Sequence, residues 1–438
     1  MKYTPHTQED IARALAVIGV SSVDELFTDL PEGIRNPKID IPAGLDEYGI
    51  TQHMKALAAK NNSSGANFLG GGMARHFQPS AVDALTFQSA FVTAYTPYQA
   101  EVAQGELQAM FEYQSMIVEL TGLDVSNSSL YDGATAVAEA ALLALRQTNR
   151  NKVLISRGVH PESRETLQTF LECVDAKLVT LELDGTRTPV SSIESDIGAV
   201  IVQSPNFLGS LEDMATLANA AHEAGALFIA VVDPLSLAVL KSPGEYGADI
   251  AVGDGQTIGN AANFGGPSYG FIAVREALMR QLPGRIVGAT KDVDGKRGFV
   301  LTLQAREQHI RRAKAKSNIC SNHALMALQS SIYLASLGPN GLREVAIASA
   351  VMAGELEQAM REMGLEVLTV GKFFNEFALK LPKPAIEVRA ALAKLGVHAC
   401  VPVPLEYGFG DVGLFSATEL NTLEEIKSLI DALKVVLA

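Results

Sequence analysis

The sequence predicts an α/β protein built on a mostly parallel sheet with helices on both faces, followed by a smaller C-terminal α+β domain. Three observations carry this. Between Arg150 and Arg275, short apolar runs rich in β-branched residues recur: Val153–Ile155, Leu178–Leu183, Ala199–Val202, Leu227–Val232, Ile250–Val252 and Gly270–Val274. Helical segments at 162–172 and 211–224 separate several of them, and strand–helix alternation is the pattern of a buried parallel sheet. The chain has 438 residues, 47% hydrophobic and 19% charged, which is enough apolar material for a large core.

The elements follow in order. Thr7-Gln8-Glu9-Asp10 is a capping-box signature before the periodic run Ile11, Leu15, Ile18, so a helix starts there. Leu30 to Gly49 is rich in Pro and Gly and reads as extended loop. A short helix around Leu45–Lys60 and a polar loop, Asn61–Gly65, come next. Residues 1–75 thus read as an arm with too little core to fold alone. A helical stretch runs from Pro79 to Ala94. Thr96-Pro97 suits the N-cap and first position of a long helix, Tyr98 to Thr121, which Gly122 ends. A further helix spans Ala134 to Gln147 and leads into the alternating region. Beyond Arg275 the pattern is helical at 304–316 and 321–337, with Gly338-Pro339 as a stop. The remainder reads helix 342–363, strand 366–370, strand 376–381, helix 385–395, strand 412–415 and helix 419–437. The boundaries expected are an arm at 1–75, a large domain at 76–320 and a C-terminal domain at 321–438.

Composition excludes several classes. Lys and Arg number 35 against 49 Asp and Glu, a net charge of −14, which argues against binding a nucleic-acid backbone. The low charged fraction suggests surface hidden against a partner. Cys173, Cys320 and Cys400 are odd in number and far apart, so no disulfide framework follows and a reducing compartment is expected. The start, Met1 to His6, lacks an apolar signal segment. The longest stretch free of Asp, Glu, Lys and Arg, Ser317 to Leu342, is interrupted by Asn318, Asn322, His323 and Gln329 and is no membrane span. A cytoplasmic protein is expected.

Among candidate chemical groups, the eight His show no HxxxH or HExxH spacing, so no metal site is expected. Gly253-Asp254-Gly255-Gln256-Thr257-Ile258-Gly259 follows a strand but misses the dinucleotide fingerprint by one residue. It reads instead as a ligand rim at a strand's C-terminal end. Asp233 ends an apolar strand, either as a turn former before Pro234 or as the carboxylate partner of a cationic ring nitrogen, as in pyridoxal phosphate enzymes. Such an enzyme needs a Schiff-base Lys beyond the next strand. Ser242 to Thr290 holds no Lys; Lys241 precedes that strand and Lys291 lies far past it. Tyr95-Thr96-Pro97-Tyr98-Gln99-Ala100-Glu101 would place polar side chains at a helix N-terminus, where free N–H groups favour an anion. Arg306, Arg311, Arg312, Lys314 and Lys316 form a basic run that is either a solvated helix face or a docking surface for an acidic partner.

These blocks, with Phe111-Glu112-Tyr113-Gln114-Ser115-Met116, Tyr131-Asp132-Gly133-Ala134-Thr135-Ala136, Gln203-Ser204-Pro205-Asn206-Phe207-Leu208-Gly209 and Ser317-Asn318-Ile319-Cys320-Ser321-Asn322, resemble the P-protein of the glycine cleavage system. The likeness is to the α subunit (subunit 1) of the split, two-chain form and covers essentially the whole chain. It implies a fold-type I pyridoxal phosphate architecture. The cofactor and its Lys would belong to a β subunit, in an α2β2 assembly that decarboxylates glycine and passes the aminomethyl group to the lipoyl group of H-protein. This chain would supply an active-site wall, Tyr95, Thr96, Tyr98, Gln99 and Glu101, and keep a degenerate cofactor pocket of Asp233, Gln256 and His160. Gly72-Met73-Ala74-Arg75-His76-Phe77 departs from the family's Gly-small-Tyr-Asp-His-Tyr, although His76 is kept. The rival readings are an independent pyridoxal phosphate decarboxylase or aminotransferase, a purely structural subunit, and a nicotinamide dehydrogenase.

Overall fold

The computed structural model describes residues 6–35, 37–38, 40–62, 64–316 and 319–438. Its contacts divide the chain into two units, Met1–Ser63 and Ser64–Ala438. Ser317 and Asn318, part of one of the blocks above, lie outside the described residues, as do Met1 to Pro5.

In the first unit, helix α1 (Gln8–Ile18) opens on Thr7. The Thr7 hydroxyl accepts from the Asp10 amide while the Asp10 carboxylate accepts from the Thr7 amide, so the capping box forms. Helix α2 (Glu47–Ala58) is capped by Asp46 through the Gly49 amide. No described residue of this unit is buried, and apolar side chains such as Val17, Phe27 and Tyr48 are exposed.

The second unit begins with strand β1 (Ala66–Phe68), which pairs in parallel with residues near the C-terminus, so residues 64–75 fold with this unit rather than with the arm. Helix α3 (Ser80–Thr86) and a four-residue turn, Ser89–Val92, replace the single helix expected over 79–94. Helix α4 (Gln104–Thr121) starts six residues later than the Thr96-Pro97 signal suggests, its first helical residue being Gln104 rather than Tyr98. Tertiary contacts decide this. The Gln104 side chain donates to the Phe299 carbonyl and accepts from the Phe299 amide, both at 2.8 Å, which fixes the first turn against a neighbouring hairpin.

Strand β2 (Val125–Ser126), helix α5 (Gly133–Thr148), β3 (Lys152–Ser156), helix α6 (Pro161–Glu172), β4 (Lys177–Leu181), β5 (Ile197–Gln203), helix α7 (Met214–Glu223), β6 (Leu227–Val231), β7 (Ile250–Asp254) and β8 (Gly270–Val274) build the main sheet. Its order is β2-β8-β7-β6-β5-β3-β4. Strands β3 to β7 are parallel; β8 runs antiparallel to both β7 and β2. Alternation in β5 sends Ala199 and Ile201 to one face and Val200 and Val202 to the other. The first face meets α5 and α6. There the run of buried Ala in α5 (Ala136, Ala138, Ala140, Ala141, Ala144) lets the helix approach the strands closely. The second face meets α4, α7 and a long C-terminal helix.

Residues 286–316 depart from the sequence reading. A hairpin of β9 (Ile286–Lys291) and β10 (Arg297–Thr302) precedes short turns of helix at 304–306, 308–311 and 312–314. No continuous helix spans 304–316, because Glu307 is extended (φ −84°, ψ 156°). Arg306 is buried, its guanidinium donating to the carbonyls of Leu282, Gly284 and Leu303. It is therefore structural and leaves the basic run, while Arg311, Arg312, Lys314 and Lys316 are exposed.

Helix α8 (Ala324–Glu362) is bent at Gly338 (φ 61°), where the Gly-Pro stop was expected. Its first half packs in the main core and its second half, through Ala353, Leu356 and Met360, in the C-terminal core. Strand β11 (Glu376–Lys380), helix α9 (Ala385–Lys394), β12 (Val397–Ala399), β13 (Val401–Pro402), β14 (Val412–Ser416) and helix α10 (Leu423–Leu437) complete the chain. The strand expected at 366–370 is reduced to one bridge, Val367 to Leu379, while β12 and β13 had no expectation. Among the described residues no helix is long and apolar enough to cross a membrane.

The parallel strands end on backbone packed too tightly for a side chain. A Cβ on Gly253 would lie 2.2 Å from the Val232 carbonyl oxygen. Gly253→Ala is expected to destabilise the chain by about 1–3 kcal/mol, measured as a shift in the denaturant midpoint with an unchanged m-value.

Candidate functional site

The C-terminal ends of β3, β5, β6 and β7 point to one edge of the sheet, where open α/β folds bind ligands. An open cavity of about 750 Å³ lies there. The loops after the strands line its floor and the C-terminal sheet lines one side through Asn375, Glu376 and Ser416. His160, Asp233 and Gln256, picked from the sequence, all line it.

Each has a definite set of partners. The His160 Nδ1 accepts from the Glu162 amide at 3.3 Å, so its Nε2 carries the proton and donates to the Gly71 carbonyl at 2.9 Å. Its ring stands edge-on to Phe207, centroids 5.0 Å apart. Asp233 accepts from the Thr257 hydroxyl and from the Leu235 amide. Burial raises its carboxyl above the usual range, against the lowering effect of Thr257. Gln256 is a clamp rather than a free group. Its Oε1 accepts from the Ala74 amide at 3.1 Å, and its Nε2 donates to the carbonyls of Ala74 (2.8 Å) and Asn260 (2.9 Å).

The clamp holds the backbone of buried Ala74, in Met73-Ala74-Arg75, on both sides. His76 Nδ1 meets Glu419 at 2.9 Å, and Glu419 also accepts from the Phe77 amide and the Ser349 hydroxyl. Burial would raise the Glu419 carboxyl, but these hydrogen bonds, His76 foremost, hold it below the usual range.

The 95–101 block is arranged differently from the helix end expected. Tyr95 OH bonds Ser321 Oγ at 2.8 Å. Buried Arg285 donates to Tyr98 OH at 3.0 Å, lies over the Tyr98 ring and also donates to the Cys320 carbonyl. The amides of Cys320 and Ser321 face Tyr131 OH at 3.3 and 3.4 Å, and Tyr131 lines the cavity. Tyr95 and Tyr98 are thus joined to the cavity rim through 320–321. Thr96 is half-buried, and Gln99 and Glu101 are exposed. None of the block caps a helix.

Sequence reasoning passed over two carboxylates. Asp254 ends β7 and takes three donors: the Gly133 amide at 3.1 Å, the Gln256 amide at 2.9 Å and the Ser268 hydroxyl. Burial raises its carboxyl and these bonds oppose the rise. Its position in a Gly-rich loop after a strand was the available signal. Glu376 comes from the C-terminal sheet and accepts from the Gly71 amide at 2.6 Å. Burial pushes its carboxyl up to about 7. Nothing near it in sequence marks it. Among the described residues no group of three or more His, Cys, Asp and Glu could hold a metal ion.

The family model of the glycine cleavage system P-protein matches residues 1–433. The chain belongs to this P-protein family. It is 46% identical to the probable glycine dehydrogenase (decarboxylating) subunit 1 of Brevibacillus brevis, with 99% of both chains covered. It is 48% identical to the Moorella thermoacetica protein of the same name, with 100% of both covered. Among solved structures, a crystal structure of glycine decarboxylase (P-protein) of the glycine cleavage system, in inhibitor-bound form, matches at a TM-score of 0.95 and 56% identity over 100% of each chain. Fold alone is shared with an apo cysteine desulfurase from Thermococcus onnurineus NA1 (TM-score 0.63, 13% identity, 91% and 99% covered). The same holds for an aspartate aminotransferase from Thermus thermophilus (TM-score 0.58, 18% identity, 85% and 99% covered). The fold is the fold-type I pyridoxal phosphate class.

In this P-protein chain the cavity does not fit that cofactor. Among the described residues no Lys lines it, so no amine is at hand there for a Schiff base. The α5 N-terminus, the kind of end that seats a phosphate, has its Gly133 amide bonded to Asp254 instead.

The pH dependence of Glu376 is testable. Its folded pKa, about 7, lies above the reference 4.5, so the folded chain holds a proton that the unfolded chain releases between these values. The stabilisation is complete below pH 4.5 and lost as pH rises through 7. Glu376→Gln is expected to flatten the stability profile across that window and to be more stable than the parent at pH 8 by up to about 3 kcal/mol, read from denaturant curves at several pH values.

Proposed function

We propose that this chain is the first, non-cofactor-bearing subunit of a two-chain glycine dehydrogenase (decarboxylating), with pyridoxal phosphate held by the second subunit. The observation that carries the reading is a fold-type I cavity with no Lys in its lining and its helix end taken by Asp254, in a chain that matches subunit 1 relatives over its whole length. With its partner the chain decarboxylates glycine and delivers the aminomethyl group to the lipoyl group of H-protein. Pyridoxal phosphate on the partner supplies the electron sink for decarboxylation.

What this chain contributes is surface and positioning. Tyr95 and Tyr98 are exposed, as is the apolar Val102, in a stretch suited to meeting a second subunit. The Arg285–Tyr98 contact and the Tyr95–Ser321 bond hold the two rings at defined positions. As part of an active-site wall with Thr96, Gln99 and Glu101, hydroxyls and amides orient a glycine carboxylate without pinning its charge, which suits a group that departs as neutral CO2. None of the first unit's described residues is buried, which supports an obligate partner.

Tyr95→Phe and Tyr98→Phe in the reconstituted two-chain enzyme are each expected to cost on the order of 1–3 kcal/mol in kcat/KM, measured by glycine–CO2 exchange with assembly checked by size-exclusion chromatography. Full activity in both assembled variants returns the two hydroxyls to a structural role. Borohydride reduction of the complex is expected to leave the pyridoxyl group on the partner; a stoichiometric adduct on any Lys of this chain overturns the assignment.

The exposed cations Arg311, Arg312, Lys314 and Lys316 stand out on a chain of net charge −14. Arg311→Glu with Arg312→Glu is expected to slow association with H-protein or the second subunit at low ionic strength, an effect that added salt erases. Stopped-flow association at two salt concentrations measures it, and equal rates at low salt leave the run a solvated surface.

A further inference from the structure

The Tyr98 hydroxyl is polarised from behind. Arg285 is only 4% exposed, and its Nη2 donates to the Tyr98 oxygen at 3.0 Å and to the Cys320 carbonyl at 2.8 Å. Both acceptors are neutral, and the Arg285 Nε is buried with no hydrogen-bond partner among the described residues. A guanidinium taken out of water against neutral groups costs free energy, and its charge acts on whatever it touches. Toward solvent it touches Tyr98, which is 53% exposed, with the guanidinium carbon 5.5 Å from the ring centroid.

The direction of the Tyr98 proton follows. A guanidinium has no acceptor, so the hydroxyl accepts from Arg285 and its single proton points elsewhere. Among the described residues no acceptor takes that proton. A hydroxyl that accepts from a cation is also a stronger donor. Tyr98 therefore presents an outward proton in a local positive field. The group that completes it is an acceptor carrying negative charge, whereas a cation placed there is repelled by Arg285.

We propose that Arg285 is a positioning residue of the glycine site: by fixing Tyr98 as an outward donor, it makes this wall select the carboxylate end of the substrate and reject the ammonium end. This role rests on Tyr98 being part of the active-site wall completed by the second subunit. Arg285 reaches the substrate only through Tyr98. The Tyr98 bond weakens as the carboxylate loses its charge on the way to CO2, so Arg285 serves substrate binding more than turnover.

The test uses the reconstituted two-chain enzyme in glycine–CO2 exchange, with acetate and methylammonium as competitors of glycine. Arg285→Met is expected to raise the KM for glycine and the inhibition constant of acetate about tenfold each. The kcat is expected to change by less than about threefold, and methylammonium inhibition not at all. Arg285→Lys, which keeps a charged donor, is expected to recover part of the loss. Tyr98→Phe is expected to reproduce the acetate effect, and Tyr98→Phe with Arg285→Met to be no worse than Tyr98→Phe alone. Were Arg285 to act through the Cys320 carbonyl instead, its cost would persist in the Tyr98→Phe background. Additive losses, acetate and methylammonium weakened alike, or no acetate inhibition of the wild type each overturns the proposal. Should Arg285→Met fail to assemble, Arg285→Lys and Tyr98→Phe still decide, since acetate inhibition unchanged in Tyr98→Phe also overturns it. Full activity in Tyr98→Phe removes the wall itself; a loss there that adds to the Arg285 loss removes only the role of Arg285.

Discussion

One extended segment, residues 66–77, is what the rest of the cavity depends on. Its strand β1 belongs to the C-terminal layer through β12, yet its later residues are held from both sides. Gly71 gives its carbonyl to His160 and its amide to Glu376; Ala74 is held by Gln256; His76 and Phe77 are held by Glu419. The large sheet contributes His160 and Gln256, and the C-terminal layer contributes Glu376 and Glu419. The segment therefore acts as a strap between the two layers, and the cavity lies under it. Buried backbone groups must find partners, and here the partners come from loops that a ligand site would otherwise use. The strap and the non-fitting cofactor cavity are parts of one arrangement.

The alternating region was legible because burial on both faces makes each strand a continuous apolar run and each helix a gap between runs. All six strands expected between Val153 and Val274 are present, within a few residues at either end. The failures share a physical cause. Thr96-Pro97 has the local chemistry of a helix start, but Gln104 bonded to Phe299 fixes the start elsewhere. The run 304–316 has helical composition, but Arg306 is drawn inward to three carbonyls and Glu307 is extended. In both cases a contact between residues distant in sequence overrode a local preference.

The same division applies to the site. Asp233 at a strand end and the absence of a Lys from Ser242 to Thr290 can be read along the chain, because strand ends in a parallel sheet converge wherever they fall in sequence. Glu376 could not be found that way. It enters from another layer, and its meaning lies in facing Gly71, which is 305 residues away. Gln256 was placed in the pocket by its position after β7, but its work, holding the Ala74 backbone, belongs to the strap.

The strap also sets an order of events during biosynthesis. β1 is made early, but its partner Val397–Ala399 and the Glu419 that holds His76 come near the chain's end. The parallel sheet can condense while translation continues, because its strands lie within residues 125–274. Gly71 and Ala74 can meet His160 and Gln256 early, but β1, His76 and Phe77 stay unpaired until the last elements leave the ribosome. The cavity is therefore the final part of the molecule to take shape, and a truncated nascent chain would carry a nearly complete sheet with its ligand edge open.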